Sequence, residues 1–186
     1  MDLLISGLGL VVLSPLMLLT AIAIKVTDRG PVFIRQERLT LNGKIFKLYK
    51  FRSMIVNAEQ VGKARFASKD DRRITPVGRV IRRLRIDEVP QLINILQGDM
   101  SVVGPRPERP EIMAQYEQIF PEFKYRLKAK AGLTGYAQIY GKYNTRFEDK
   151  VKMDLLYIER YSLLLDLQLI FGTVKILFMK DSTEGV

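Results

Sequence analysis

The sequence predicts a mostly helical α+β domain seated on a membrane, and three observations carry that reading. Residues Leu3 to Ile24 form an apolar run without one charge. Around Asn42-Gly43, two partly alternating segments read as a small β-hairpin. From Thr75 onward the pattern is helical in short pieces punctuated by glycine and proline, with no repeat and no linker. The expected plan is a single domain over residues 1–186. Residues 1–25 form a membrane helix broken at Ser14-Pro15, and 26–186 form a cytoplasmic or interfacial part that ends in an interfacial helix.

The apolar run just reaches the roughly 20 residues that a spanning helix needs. No Lys or Arg precedes it and no small-residue cleavage site closes it, which argues against a signal peptide. Pro15 lacks an N–H, and its ring clashes with the carbonyl one turn back, so a bend or break is expected there. Inside lipid a freed carbonyl needs a donor, and the Ser14 hydroxyl is adjacent. A kinked helix crossing the bilayer and a broken helix returning to the same face both satisfy these rules. Beyond the run, Lys25, Arg29, Arg35, Arg38, Lys44, Lys47, Lys50 and Arg52 stand against only Asp28 and Glu37. Such a basic flank stays cytoplasmic and suits anionic headgroups.

Gly30-Pro31 is a turn signal, and Val32 to Met54 is the expected hairpin, turning at Asn42-Gly43. Val56 to Asp71 is polar and mixed, read as helix plus a mobile loop. Thr75 to Leu84 reads as a helix opened by a threonine cap and a proline in its first turn. Asp87 to Leu96 reads as another, with Leu92, Ile93 and Leu96 on one face and Gly98 just past its end. The run SVVGPRPERP (101–110) holds too many prolines for a regular element. Pro110 to Phe120 and Glu148 to Tyr161 are helical, and Gly132 to Gly135 marks a tight turn. Leu163 to Met179 is an apolar helix carrying Asp166 and Lys175, suited to the core or to the interface plane.

The 186 residues include 47% hydrophobic and 27% charged side chains, with a net charge of +10. That composition excludes a disordered chain and points to an anionic partner. No cysteine and no histidine occur. Disulfides, thiolate zinc sites, Cys and Ser–His nucleophile pairs and histidine metal sites are therefore all excluded. Any catalysis falls to carboxylates, lysines, hydroxyls or carboxylate-bound Mg²⁺. No Walker loop and no dinucleotide fingerprint in context is present, and no nucleic-acid reading helix is recognisable.

Asp87-Glu88 follows Arg79, Arg82, Arg83 and Arg85. One reading makes Asp87 a helix N-cap and Glu88 a first-turn acid. The other makes them reactive carboxylates beside cations that hold phosphate, able to attack phosphorus or bind Mg²⁺. In Gly104-Pro105-Arg106-Pro107 two prolines fix the backbone around one arginine, which suits either a phosphate clamp or a plain surface turn. Among Lys44, Lys47, Lys50 and Arg52, headgroup contact and nucleotide-phosphate contact both remain open.

These pieces together resemble the bacterial sugar transferases, the monotopic polyprenyl-phosphate phosphoglycosyl transferases. The resemblance runs nearly end to end. It includes the apolar segment with Ser14-Pro15, GPVFIRQERLTLNGKIFKLYKFRSM, GRVIRRLRIDEVPQLINILQGDMSVVGPRP and GLTGYAQIYGKYNT. It implies transfer of a phosphosugar from a UDP-sugar to polyprenyl phosphate, with UMP released and a surface glycan begun. It implies a re-entrant helix at Ser14-Pro15 with both ends on the cytoplasmic face of the bacterial inner membrane. Asp87 would attack the sugar-linked phosphate to form a covalent intermediate, then be displaced by the lipid phosphate. Asp87 would also lie at the Mg²⁺ site, with Glu88 completing the dyad. Lys50, Arg82 and Arg106, with Arg52, match the phosphate contacts.

Tyr136 stands where many members have tryptophan, and Tyr140-Gly141-Lys142 where many have Asn-Gly-Arg, so no role is assigned there. Larger members carry further N-terminal membrane helices and another domain, to which this chain would supply the catalytic part. A non-catalytic basic membrane anchor is the rival reading, and a glycosyltransferase that releases UDP is the third. The sugar, with a lean to a hexose, and the oligomeric state, a homo-oligomer included, stay open.

Overall fold

The computed structural model describes residues 1–58, 71–141 and 145–177. Helix α1 runs from Asp2 to Asp28 as one 27-residue element, about 40 Å at 1.5 Å per residue. The expected break does not interrupt the helix, which continues through Pro15. The carbonyl that residue 15 leaves without its usual N–H is that of Val11, and the Ser14 hydroxyl donates to it at 2.8 Å. Ser6, Thr20 and Thr27 likewise donate to carbonyls one turn back, so these hydroxyls are satisfied within the helix. Among the described residues this is the one helix long and apolar enough to cross a membrane.

The hairpin is present. Strand β1 (Phe33–Leu39) pairs antiparallel with β2 (Ile45–Phe51), Phe33 opposite Phe51 and Leu39 opposite Ile45. Its turn places Asn42 and Gly43 at φ 58° and 76°, the left-handed backbone that the Asn-Gly pair tolerates. Most of the 56–71 stretch lies outside the described residues. Helix α2 (Pro76–Arg83) opens as expected, with the Thr75 side chain accepting from the Gly78 N–H at 2.9 Å.

The helix expected over Asp87–Leu96 is divided instead. Residues Ile86–Glu88 form a 3₁₀ turn and α3 spans only Gln91–Leu96. Arg85, at φ 53°, turns the chain just before the dyad, and Pro90 has no N–H with which to continue a helix. The core face of α3 is Leu92 with Ile95, while Leu96 is exposed. Two short strands escaped the sequence reading: β3 (Met100–Val103) and β4 (Ala131–Thr134) pair in parallel. Both are largely buried, so neither shows the alternation of a half-exposed strand. Between them lie α4 (Pro110–Ile119) and a 3₁₀ stretch, Pro121–Lys128. After β4 come α5 (Tyr136–Tyr140), α6 (Phe147–Arg160) and α7 (Leu163–Leu177).

The principal core joins Phe46 and Leu48 of β2, Leu92 and Ile95 of α3, the β3 residues Met100, Val102 and Val103, Tyr157 of α6 and Leu169 of α7. Leu10 and Leu13 of α1 rest on it, while Met17, Ala21 and Ile24 pack with Phe51 and Ile81 in a second cluster. The other side of α1 leaves Leu4, Leu8, Val11, Leu18 and Val26 exposed. Helix α7 divides similarly: Leu169 is buried, and Asp166 is taken inward by the Tyr157 hydroxyl at 2.8 Å. Leu163, Leu164 and Phe171 stay exposed.

Candidate active site

Asp87 and Glu88 both point inward and are 8% exposed each. Neither caps a helix: the 3₁₀ turn has no side-chain cap, and α3 begins later, behind Pro90. The cap reading is thereby excluded by position. Lys50 arrives from β2, where Phe46, Leu48 and Lys50 share one face because side chains alternate along a strand. The first two enter the core, and the third carries its ammonium to the dyad.

The two carboxylates are unequal. Glu88 Oε1 accepts from Lys50 Nζ and from Arg106 Nη2, each at 2.9 Å, and Oε2 faces Arg85 Nη1 at 3.7 Å. Burial works to raise its pKa, but the Arg106 and Lys50 charges outweigh burial and hold Glu88 well below the usual carboxylate range. Among the described residues Asp87 has a looser ion pair, Oδ2 to Lys50 Nζ at 3.8 Å. Burial pushes its pKa up and the Glu88 charge adds to that, against Lys50, Arg82 and Arg106. Glu88 is thus committed to cations, while Asp87 keeps lone pairs for an incoming group.

Arg106 has a fixed backbone and a reaching side chain. Gly104 N–H donates to Thr134 O at 2.8 Å, and Pro105 O accepts from Gly132 N–H at 2.9 Å. Arg126 Nη2 donates to Arg106 O at 3.1 Å. The Arg106 side chain remains 44% exposed, so N–H groups not given to Glu88 can meet a ligand. Arg82, half-buried in the last turn of α2, acts on Asp87 through space. Arg52 stands apart: its buried guanidinium pairs with Asp28 at the end of α1.

Among the described residues no cluster of three or more acidic side chains could cage a metal. Mg²⁺ does not need one, since it commonly takes one or two carboxylates and completes its shell with substrate phosphates and water. Asp87 fits that role, because Glu88 already has its oxygens engaged. Sequence reasoning assigned nothing to Arg126. It reaches the site through the Arg106 carbonyl, twenty residues away in the chain, a link that no local motif announces.

The model of the bacterial sugar transferase family matches residues 1–180. The chain is 43% identical, over 94% of its length, to a UDP-N-acetylgalactosamine-undecaprenyl-phosphate N-acetylgalactosaminephosphotransferase of Aeromonas hydrophila, covering 42% of that protein. It is 44% identical, over 93% of its length, to a UDP-glucose:undecaprenyl-phosphate glucose-1-phosphate transferase of Klebsiella pneumoniae, covering 38% of it. Against the exopolysaccharide production protein ExoY of Sinorhizobium fredii it is 38% identical, over 93% of this chain and 81% of that one. It thus spans about two fifths of the first two relatives and four fifths of the third. The match takes in the dyad, its cations and the α1 segment alike, and the chain belongs to the bacterial sugar transferase family.

Proposed function

We propose that the chain transfers a sugar 1-phosphate from a UDP-sugar to polyprenyl (undecaprenyl) phosphate, releasing UMP, as a first membrane step of exopolysaccharide, capsule or related glycan synthesis. The observation that carries this is the division of labour in the dyad: Glu88 gathers Lys50 and Arg106, and Asp87 is left available beside them. An Asp87 oxygen attacks the sugar-bearing phosphorus, an aspartyl–phosphosugar bond forms, and the P–O bond to UMP breaks with its electron pair leaving on UMP. An oxygen of the lipid phosphate then attacks the same phosphorus and returns Asp87 as a carboxylate. Phosphoryl transfer depends chiefly on positioning and charge neutralisation. Lys50, Arg82 and Arg106 supply both, and Mg²⁺ held by Asp87 and the substrate phosphates would neutralise further charge. Arg52 is better suited to joining α1 to β2 than to meeting a phosphate. The relatives are named for glucose and for N-acetylgalactosamine at nearly equal identity, so similarity does not choose the sugar.

Purified protein given Mg²⁺ and a UDP-sugar labelled in its β-phosphate, without lipid acceptor, is expected to release about one UMP per molecule and keep the label. Polyprenyl phosphate then chases the label into lipid. UMP that appears only with acceptor present would refute the two-step route. UDP as product would replace phosphosugar transfer with sugar transfer.

The re-entrant reading rests on how α1 is tied at both ends. Asp2 Oδ1 accepts from Ser101 Oγ and the Val102 N–H, each at 3.1 Å, and Asp28 pairs with Arg52. A helix long enough to cross a core of about 30 Å keeps both termini on one body, which supports a reading with both on one side and the exposed faces of α1 and α7 in lipid. The chain has no native cysteine. Leu3→Cys and Thr27→Cys, both exposed positions, should therefore resist an impermeant maleimide in intact cells and label in inverted vesicles. Labelling of position 3 from outside would establish a spanning helix instead.

A further inference from the structure

From the edge of the hairpin we infer that Asn94 is a positioning residue for the transfer reaction: it sets the strand that carries Lys50 against the segment that carries Asp87 and Glu88. In the antiparallel register, Lys50 lies opposite Ile34 and Leu48 opposite Gln36, on the edge of β2 occupied by β1. Lys47 and Tyr49 alternate with them along the strand, so their backbone groups face the other way. There the partner is one side chain. Asn94 Oδ1 accepts from the Tyr49 N–H at 2.9 Å, and Asn94 Nδ2 donates to Lys47 O at 2.9 Å. The amide therefore presents an acceptor and a donor to two residues that flank Leu48, as a neighbouring strand would.

Asn94 is fully buried, its side chain is engaged on both polar atoms, and it stands on α3 six residues after Glu88. Only the amide fits this place among the natural side chains of its size. Aspartate has no donor for Lys47 O unless protonated, and leucine fills the volume but leaves a buried N–H and C=O unpaired. Such a side chain sits in the core for a reason other than packing, which any aliphatic residue would serve. The strand it clamps carries, one residue before its end, the lysine contacting both carboxylates of the dyad. A displacement of β2 by a fraction of an ångström is felt at Lys50 Nζ, whose contact with Asp87 is already long at 3.8 Å.

This inference rests on the transferase reading and is separable from it, because the wild-type reaction is the reference in every arm. In Asn94→Leu and Asn94→Asp, kcat for UMP release is expected to fall by roughly 10–100-fold, as misplacement of a reacting group implies, with KM for the UDP-sugar changed far less. The packing control is Ile95→Val on the same helix, a buried core residue whose aliphatic side chain offers no hydrogen bond to β2 or the dyad, which should lower Tm while leaving kcat alone. In a Lys50→Arg background, where the geometry at that position is already altered, losing Asn94 should cost about twofold or less if Asn94 acts through Lys50. Equal fold losses in both backgrounds would overturn the inference. So would kcat losses that merely track Tm across the Asn94 and Ile95 variants, or failure of every Asn94 variant to fold, since each marks a residue of the core alone. Absence of UMP from the wild type would instead defeat the transferase reading.

Discussion

Asp87→Asn is expected to remove UMP release almost completely, by roughly 10⁴–10⁶-fold, as loss of a covalent nucleophile does, and to leave Tm unchanged or higher. The amide keeps the shape of the carboxylate but cannot form an acyl–phosphate bond. The stability half of the expectation follows from the pKa. Burial raises the pKa of Asp87 above its ordinary 3.8, so at pH above that value ionisation favours the unfolded chain over the folded one. A neutral amide removes that cost. Glu88→Gln should move Tm the other way. Glu88 is held below its ordinary range by Arg106 and Lys50, so its ionised form stabilises the fold above that range, and the substitution keeps an acceptor oxygen but removes the charge that Lys50 and Arg106 share. Opposite shifts in Tm at adjacent residues, with activity lost at Asp87, would mark one as reactive and its neighbour as scaffold. Undiminished UMP release by Asp87→Asn would place the nucleophile elsewhere.

What the sequence made legible was whatever is local and patterned. The Leu3–Ile24 run, the Asn42-Gly43 turn and the Thr75 cap each state their structure within a few residues, and each is present. Lys50 and Asp87-Glu88 stood out by residue type in a chain without histidine or cysteine, and the fold brings them together. Strands β3 and β4 are short and largely buried, and they pair across an intervening helix, so neither alternation nor a hairpin signal marks them. Proline was overweighted at position 15, where a neighbouring hydroxyl repairs the defect, and underweighted at position 90, where it divides a helix that the apolar spacing made continuous. Asn94 and Arg126 read as unremarkable polar residues because their partners lie 45 and 28 residues away.

Arg126 carries the largest expected effect on stability. Its Nε meets Asp154 Oδ2 at 2.7 Å, its Nη2 donates to the Arg106 carbonyl, and its guanidinium lies over the Phe123 ring at 4.7 Å. Both charged side chains are buried. Removing one partner of such a pair costs about 3–5 kcal/mol, because the other is left in a low-dielectric site. For a domain of this size that is roughly 6–20 °C in Tm. Arg126→Met is expected to show that loss, and the loss should deepen with pH. Burial already raises Asp154 against the opposing pull of Arg126. Without the arginine the folded state holds the Asp154 proton to still higher pH than wild type does, so the gap to wild type widens as pH rises above the ordinary carboxylate range, which is read between pH 5 and pH 8. Arg126→Met with Asp154→Leu should recover most of the stability, since an apolar pair replaces a buried ion pair at little cost. Activity should stay below wild type in that double variant, because the Arg106 carbonyl has still lost its donor and the Arg106 loop its brace. Thermal unfolding in nanodiscs across this pH range, paired with UMP release, separates the two roles. A Tm for Arg126→Met equal to that of wild type would deny the ion pair its weight, and full activity in the stabilised double variant would deny Arg126 its hold on Arg106.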